Sequence, residues 1–345
     1  MAFWVALELA EKPITDSSET NHTPHDRTRD SREPAPKPRL APTRVSIVAE
    51  PQILPRRHST VTIHPLAVVS PQAVLGQGIS VGPFAVIEPD VIIGDHCKLA
   101  AGVVIKSGTE MGEHNTVYEG AVLGGYPQHV RMPESLGRVT IGSHNTFREN
   151  TTIHRALQDG NVTRVGDHNL LMVGAHVAHD CTVGNYVIMA NNAMLGGFVT
   201  VADRAFLSGA VAVHQFCRIG RLAMIGGCAR VVQDIAPYVM VDGQSGLIVG
   251  LNLVGLRRNG YGPTDVAQLK AAYRTIFRRS LRWTDVLERL REEFTSGPAA
   301  DFHPFLSQGT RGFVQERRMP PSATLKLRRA SDDEGEDRQL RAKAG

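Results

Sequence analysis

From Ile63 to Val231, outside two excursions, an apolar residue recurs at every sixth position. The series runs Ile63, Val69, Leu75, Val81, Ile87, Ile93, Leu99, Ile105, Met111, Val117 and Leu123. It resumes at Ile141, Phe147 and Ile153, and then continues without a break from Val165 to Val231. Two positions before most members stands Ala, Cys, Val or Thr; Ile79, Asn115, Asn145 and Asn169 are the exceptions. A period of six is neither the 3.6 of a helix nor the 2 of an ordinary strand. It is the hexapeptide pattern of a parallel β-helix. In such a solenoid three short flat strands make one triangular coil. A large apolar residue and a small one point inward near each corner, and Gly, Asp or Asn is expected at the turns, where backbone freedom is needed. Three hexads make a coil, so residues one coil apart stack at ~4.8 Å, the spacing of hydrogen-bonded strands.

Composition agrees with a narrow aliphatic core: 42% of residues are hydrophobic but only 6% aromatic. The net charge of +4 gives no case for nucleic-acid binding, though it leaves room for a basic patch facing an acidic protein partner. The four cysteines have no metal or redox spacing. Cys97, Cys181 and Cys217 occupy the small inward position, so they read as reduced core residues in a reducing, cytoplasmic compartment. No metal and no cofactor is expected.

Residues 1–58 are polar and rich in Pro, Ser, Thr, Asp and Arg, which predicts a disordered extension. Its apolar start, Met1 to Ala10, lacks a basic opening and makes a poor secretory signal. No stretch is long enough to span a membrane. The solenoid is expected over 59–240, with excursions at 124–139 and 155–164. Loops thrown out of a regular scaffold are where binding residues tend to sit, and the first carries Tyr126, Gln128, His129 and Arg131. A helical domain is expected over 241–318. Within it Thr264–Phe277 and Thr284–Phe294 read as amphipathic helices, each starting at a Thr cap. Residues 319–345 read as a disordered charged tail.

Several short motifs lie on this frame. They are Thr152-Ile153-His154-Arg155, Asn169-Leu170-Leu171-Met172, Ala175-His176-Val177-Ala178-His179-Asp180-Cys181 and Ala190-Asn191-Asn192-Ala193. Further on come Ala212-Val213-His214-Gln215-Phe216, Gly226-Gly227-Cys228 and Gly255-Leu256-Arg257-Arg258. Together they resemble the bacterial UDP-N-acetylglucosamine acyltransferases that begin lipid A synthesis, over roughly Val61 to Phe313. The resemblance implies a left-handed parallel β-helix, a homotrimer, and transfer of an (R)-3-hydroxyacyl group from acyl carrier protein to the sugar 3-hydroxyl of UDP-N-acetylglucosamine.

A sugar hydroxyl is a weak nucleophile and needs a base whose pKa lies near neutrality, which favours histidine. The resemblance makes His179 that base, Asp180 the carboxylate that orients it, and Gly197 the donor of a backbone N–H to the developing oxyanion. It assigns substrate binding to His176, His214, Gln215, Asn252, Arg258 and, in the first excursion, Gln128 and Arg131. It makes Gly227 the residue that closes the acyl groove and sets chain length. Two features depart from the family. Phe198 stands where a histidine is usual, and His129 and Arg131 stand where Asp and Lys are usual. Both bear on the sugar, so a 3-amino nucleotide sugar is an alternative acceptor. Other readings are an amine-directed acyltransferase of the same pathway, a hexapeptide-repeat carbonic anhydrase with histidines on zinc, and a non-catalytic scaffold.

Overall fold

The computed structural model describes residues 61–317. The extension expected over 1–58 and the tail expected over 319–345 lie outside them.

Strands of two to four residues follow the hexads. Ile188–Met189, Met194–Leu195 and Thr200–Val201 are three successive sides of one coil. Each pairs in parallel with the coil that follows: Ile188 with Phe206, Met194 with Ala212, Thr200 with Arg218. Three sheets of 11, 9 and 8 strands result among the described residues. The first ends in an antiparallel pairing of Val239–Val241 with Ile248–Leu251. Inward residues such as Leu171, Val177, Cys181 and Met189 are completely buried. The excursions leave the solenoid without disturbing its phase. Thr116 pairs with Thr146 across the first and Thr146 with Leu170 across the second.

The four inward positions that break the small-residue rule include three asparagines with a common explanation. Asn145 N donates to Asn115 Oδ1 (2.9 Å), Asn169 N to Asn145 Oδ1 (2.8 Å), and Val187 N to Asn169 Oδ1 (2.7 Å). A buried side-chain oxygen thus satisfies the next coil's turn N–H, which would otherwise be stranded in the core.

The turns differ from expectation. The left-handed residue is glycine at Gly102, Gly120 and Gly174, but His114 (φ 56°), Tyr186 (φ 56°), Phe198 (φ 61°) and Arg204 (φ 60°) adopt the same conformation. That conformation costs a residue with a Cβ about 1–2 kcal/mol. Contacts between coils offset the cost. His114 N donates to Asp95 O and Tyr186 N to Asp167 O, at 2.8 and 2.9 Å. The side chains also stack. At one corner the rings of His96, His114, His144, His168 and Tyr186 follow one another at 4.9, 4.9, 4.8 and 4.7 Å. The Arg204 guanidinium lies 4.4 Å over the Tyr186 ring and donates to Asn259 Oδ1 at 2.7 Å.

The two ends of the solenoid are unlike. In the first coil the inward Ile63 is 42% exposed, whereas Val81, stacked on it, is 2% exposed. At the far end Tyr238 is buried against Tyr261 and Phe302, and its hydroxyl donates to Asp301. Beyond it come helices Leu253–Arg258, Pro263–Phe277, Trp283–Glu293 and Phe302–Ser307. The two longer ones are amphipathic as expected, with Leu269, Tyr273, Val286 and Leu290 buried. Their starts differ from expectation. The first begins at Pro263 after an N-cap at Gly262, whose N–H donates to Asp265 Oδ2. Proline's fixed φ starts the helix ahead of Thr264. The second has Arg282 at its N-cap, so Thr284 lies inside it. The chain then returns to the solenoid: Asp234 N donates to Gly312 O and Val314 N to Asp234 O, at 2.9 and 3.0 Å. No helix of the described residues is long and apolar enough to cross a membrane.

Candidate active site

His179 and Asp180 form a turn of the solenoid, and Asp180 takes the left-handed conformation (φ 58°). His179 is buried, with Nδ1 2.8 Å from Asp180 Oδ2. A carboxylate only accepts hydrogen bonds. In the neutral imidazole Nδ1 therefore carries the proton and Nε2 the lone pair.

The second excursion returns to this turn and holds the carboxylate. Leu157 N donates to Asp180 Oδ2 at 2.9 Å and Asn161 Nδ2 to Oδ1 at 3.0 Å. Asp180 N in turn donates to the Thr163 hydroxyl at 2.8 Å. Asn161 and Thr163 were not expected at the site; the only sequence signal was that an excursion starts near the motif.

One coil on, Gly197 faces the imidazole. A Cβ there would lie 2.7 Å from His179 Cε1 and 2.8 Å from Nε2, so no larger residue fits while the ring keeps its place. Phe198 N donates to His179 O and Phe216 N to Gly197 O. The Gly197 N–H itself makes no backbone hydrogen bond among the described residues. The Phe198 ring meets His179 edge-on at 5.3 Å and stacks on Phe216 at 4.9 Å. Both phenylalanines are partly exposed, which puts an apolar wall beside the base.

Other histidines converge here. The first excursion brings the His129 ring to 5.9 Å from His179, edge to face. Gln128 and Arg131, from the same loop, are exposed. His176 Nδ1 lies 2.7 Å from the Thr152 hydroxyl, and its ring meets His154 at 4.8 Å. His154 is buried and its Nδ1 has no partner among the described residues. Burial pushes the His154 imidazole down to about 4, with the charges of His176 and His179 adding to the effect. His176 is lowered for the same reason, burial first and then His179. Cys181, one residue beyond the pair, is no nucleophile: burial pushes its thiol up to about 12.

His214 and Gln215 lie one coil above Gly196 and Gly197 and are exposed. His214 Nδ1 is 3.1 Å from Arg311 Nη2, a contact with the returning end of the chain that no sequence pattern announces. Asn252 lies at another corner of the solenoid from His179. Asn252 caps helix Leu253–Arg258 through Gly255 N and donates to Leu222 O, two coils beyond Tyr186. Arg258 is exposed at the end of that helix. Gly227 is exposed, and a Cβ there would meet nothing closer than Gly209 O at 3.4 Å.

Residues 73–107 and 163–197 match the family model of bacterial transferase hexapeptides (six repeats). Residues 234–314 match that of UDP N-acetylglucosamine O-acyltransferase, domain 2. An acyl-[acyl-carrier-protein]–UDP-N-acetylglucosamine O-acyltransferase of Halorhodospira halophila is 46% identical over 255 residues, 73% of this chain and 99% of its own. That of Paraburkholderia xenovorans is 44% identical over 259 residues, again 73% and 99%. Among solved structures, the UDP-N-acetylglucosamine acyltransferase of Francisella novicida superposes with a TM-score of 0.72 at 32% identity, covering 77% of this chain and 100% of its own. That of Bacteroides fragilis gives 0.71 at 36% identity, covering 74% and 100%. The solenoid is the left-handed parallel β-helix of those enzymes. With a relative this similar matched along nearly its whole length, the chain belongs to the UDP-N-acetylglucosamine O-acyltransferase family.

Proposed function

We propose that this chain transfers an (R)-3-hydroxyacyl group from acyl carrier protein to the 3-hydroxyl of UDP-N-acetylglucosamine, with His179 as general base. The observation that carries the reading is the His179–Asp180 pair, with the carboxylate held by Leu157 N and Asn161 Nδ2 and the ring packed on Gly197. His179 Nε2 takes the proton of the sugar hydroxyl as the oxygen attacks the thioester carbonyl. Asp180 stabilises the imidazolium that forms. The negative charge passes to the carbonyl oxygen, where the Gly197 N–H can donate to it, an interaction typically worth about 3 kcal/mol. Collapse of the tetrahedral species expels the carrier's thiolate, which recovers the proton from His179.

His176 contacts the sugar through Nε2, since Nδ1 is engaged by Thr152. His214 and Gln215 contact the donor and the sugar, and Gln128 and Arg131 close over the sugar from the first excursion. Asn252 and Arg258 serve the nucleotide phosphates, for which arginine is suited. With Asn252 anchored at another corner of the solenoid, the two serve a neighbouring protomer's site in a homotrimer. Asn252 keeps one N–H and one oxygen lone pair for a ligand beyond those its cap uses. Gly227 leaves the acyl groove open to a long chain. The enzyme acts in the cytoplasm, where acyl carrier protein is found.

The 3-amino sugar is the second reading, favoured by Phe198 and His129 beside the base. The test is a mass-spectrometric product assay with purified full-length protein, hydroxyacyl carrier proteins of several lengths, and both nucleotide sugars. An alkali-labile ester on UDP-N-acetylglucosamine is expected. A product formed only on the 3-amino sugar, as an amide, would replace the first reading by the second. Light scattering of the same preparation tests the homotrimer.

A further inference from the structure

We propose that Arg311 is a positioning residue for His214: it fixes the imidazole tautomer so that Nε2–H, a donor, is the atom offered to a ligand. The inference deepens the reading of His214 as a substrate contact and rests on it.

Arg311 lies 97 residues from His214 in sequence, on the segment that returns to the solenoid after the helices. The backbone bonds of Asp234 with Gly312 and Val314 hold that segment in place. Arg311 Nη2 is 3.1 Å from His214 Nδ1 and donates to Val232 O at 3.2 Å. The same Nδ1 is 3.1 Å from Gln215 O.

These contacts compete. A guanidinium only donates, a carbonyl only accepts, and one ring nitrogen of a neutral imidazole does one or the other. If Nδ1 carries the proton it serves Gln215 O and presents an N–H to the N–H of Arg311. If Nδ1 has the lone pair it accepts from Arg311, and the proton sits on Nε2. The bond to the charged donor is the stronger of the two, so Arg311 selects the second state. His214 is exposed, one coil above Gly196 and beside the proposed oxyanion donor. Nε2–H suits an acceptor oxygen, such as an amide or thioester carbonyl or a hydroxyl. The other tautomer would set a lone pair against that oxygen. Arg311 thus ties the order of the chain's last described segment to the chemistry of the site.

The test uses full-length protein labelled with ¹⁵N-histidine, with the His214 signals identified by their loss in His214→Gln. Wild type and Arg311→Lys should carry the proton on Nε2, and Arg311→Met should populate Nδ1–H. In kinetics, Arg311→Met should raise KM for one substrate about tenfold, the worth of one hydrogen bond, with kcat little changed and Lys restoring most of the loss. In the His214→Gln background the same change should have no further effect, because Gln can turn either end to the ligand. A wild-type His214 protonated on Nδ1, or a tautomer unmoved in Arg311→Met, overturns the inference. So do kinetic effects that simply add in the double variant, as loss of a merely structural arginine would. If the tautomer moves as expected while His214→Gln leaves both KM values unchanged, tautomer control stands and the binding role of His214 falls.

Discussion

His179 is paired with the carboxylate beside it, and a loop holds that carboxylate in place. His179→Ala should lower turnover by about 10² to 10⁴ with an unchanged circular dichroism spectrum. A folded variant with near wild-type turnover would remove His179 as the base. Asn161→Ala should cost less, about tenfold, because Leu157 N still holds the carboxylate. Its KM values should stay put, since Asn161 acts on Asp180 and not on a ligand. The pair was legible because its members are adjacent within a motif. Asn161 was not, because its contact is made by the path of a loop that carries no repeat. The capping role of Asn252 was not legible, because a helix of six residues shows no periodicity to reveal the cap it needs. His154 stood in a quoted motif without a role, and burial gives it one in stability. It resists protonation in the folded state until about pH 4, whereas the unfolded chain takes up the proton near 6.5. The folded form therefore loses stability as pH falls through that window, and the full loss, about 3 kcal/mol, is reached below it. Urea midpoints at the two ends of the window should move further apart in wild type than in His154→Leu.

At the scale of elements, the hexad supplied strand positions and the inward face almost residue for residue, because the period is imposed by packing that repeats. It did not supply the corners. There a conformation normally left to glycine is held by stacking between coils, and His, Tyr, Phe and Arg are admitted. A local propensity rule fails where the deciding contacts come from the neighbouring turn of the chain. The asparagine exceptions follow the same logic, since each serves the coil after its own. Gly227 tests it from the other side. Its corner has room for a side chain, so Gly227→Met should fold with an unchanged melting temperature. Each buried methylene contributes about 0.8 kcal/mol, so an open groove should favour a hydroxyacyl donor of about 14 carbons over one of about 10. The methionine variant should reverse that order in a competition assay. A folded variant that keeps the long-chain preference would show that Gly227 does not measure the chain.

For the molecule as a whole, the exposed first coil and the sealed last one have a consequence. In a stacked solenoid each coil is stabilised mainly by its two neighbours. Among the described residues the coil holding Ile63 leaves that inward residue partly exposed, while the coil at Tyr238 is closed by buried aromatic contacts and by the chain's return to Asp234. Opening therefore has a preferred direction. Amide exchange should be fast around Val68 and Val86 and slow progressively toward Val213 and Ile225, with no such gradient if the molecule opens only as a unit. His179 lies well along that gradient, so the early coils can fray and close again while the turn of His179 and Asp180 stays assembled. The protein is in this sense a spring pinned at one end, with the His179–Asp180 pair placed toward the pin.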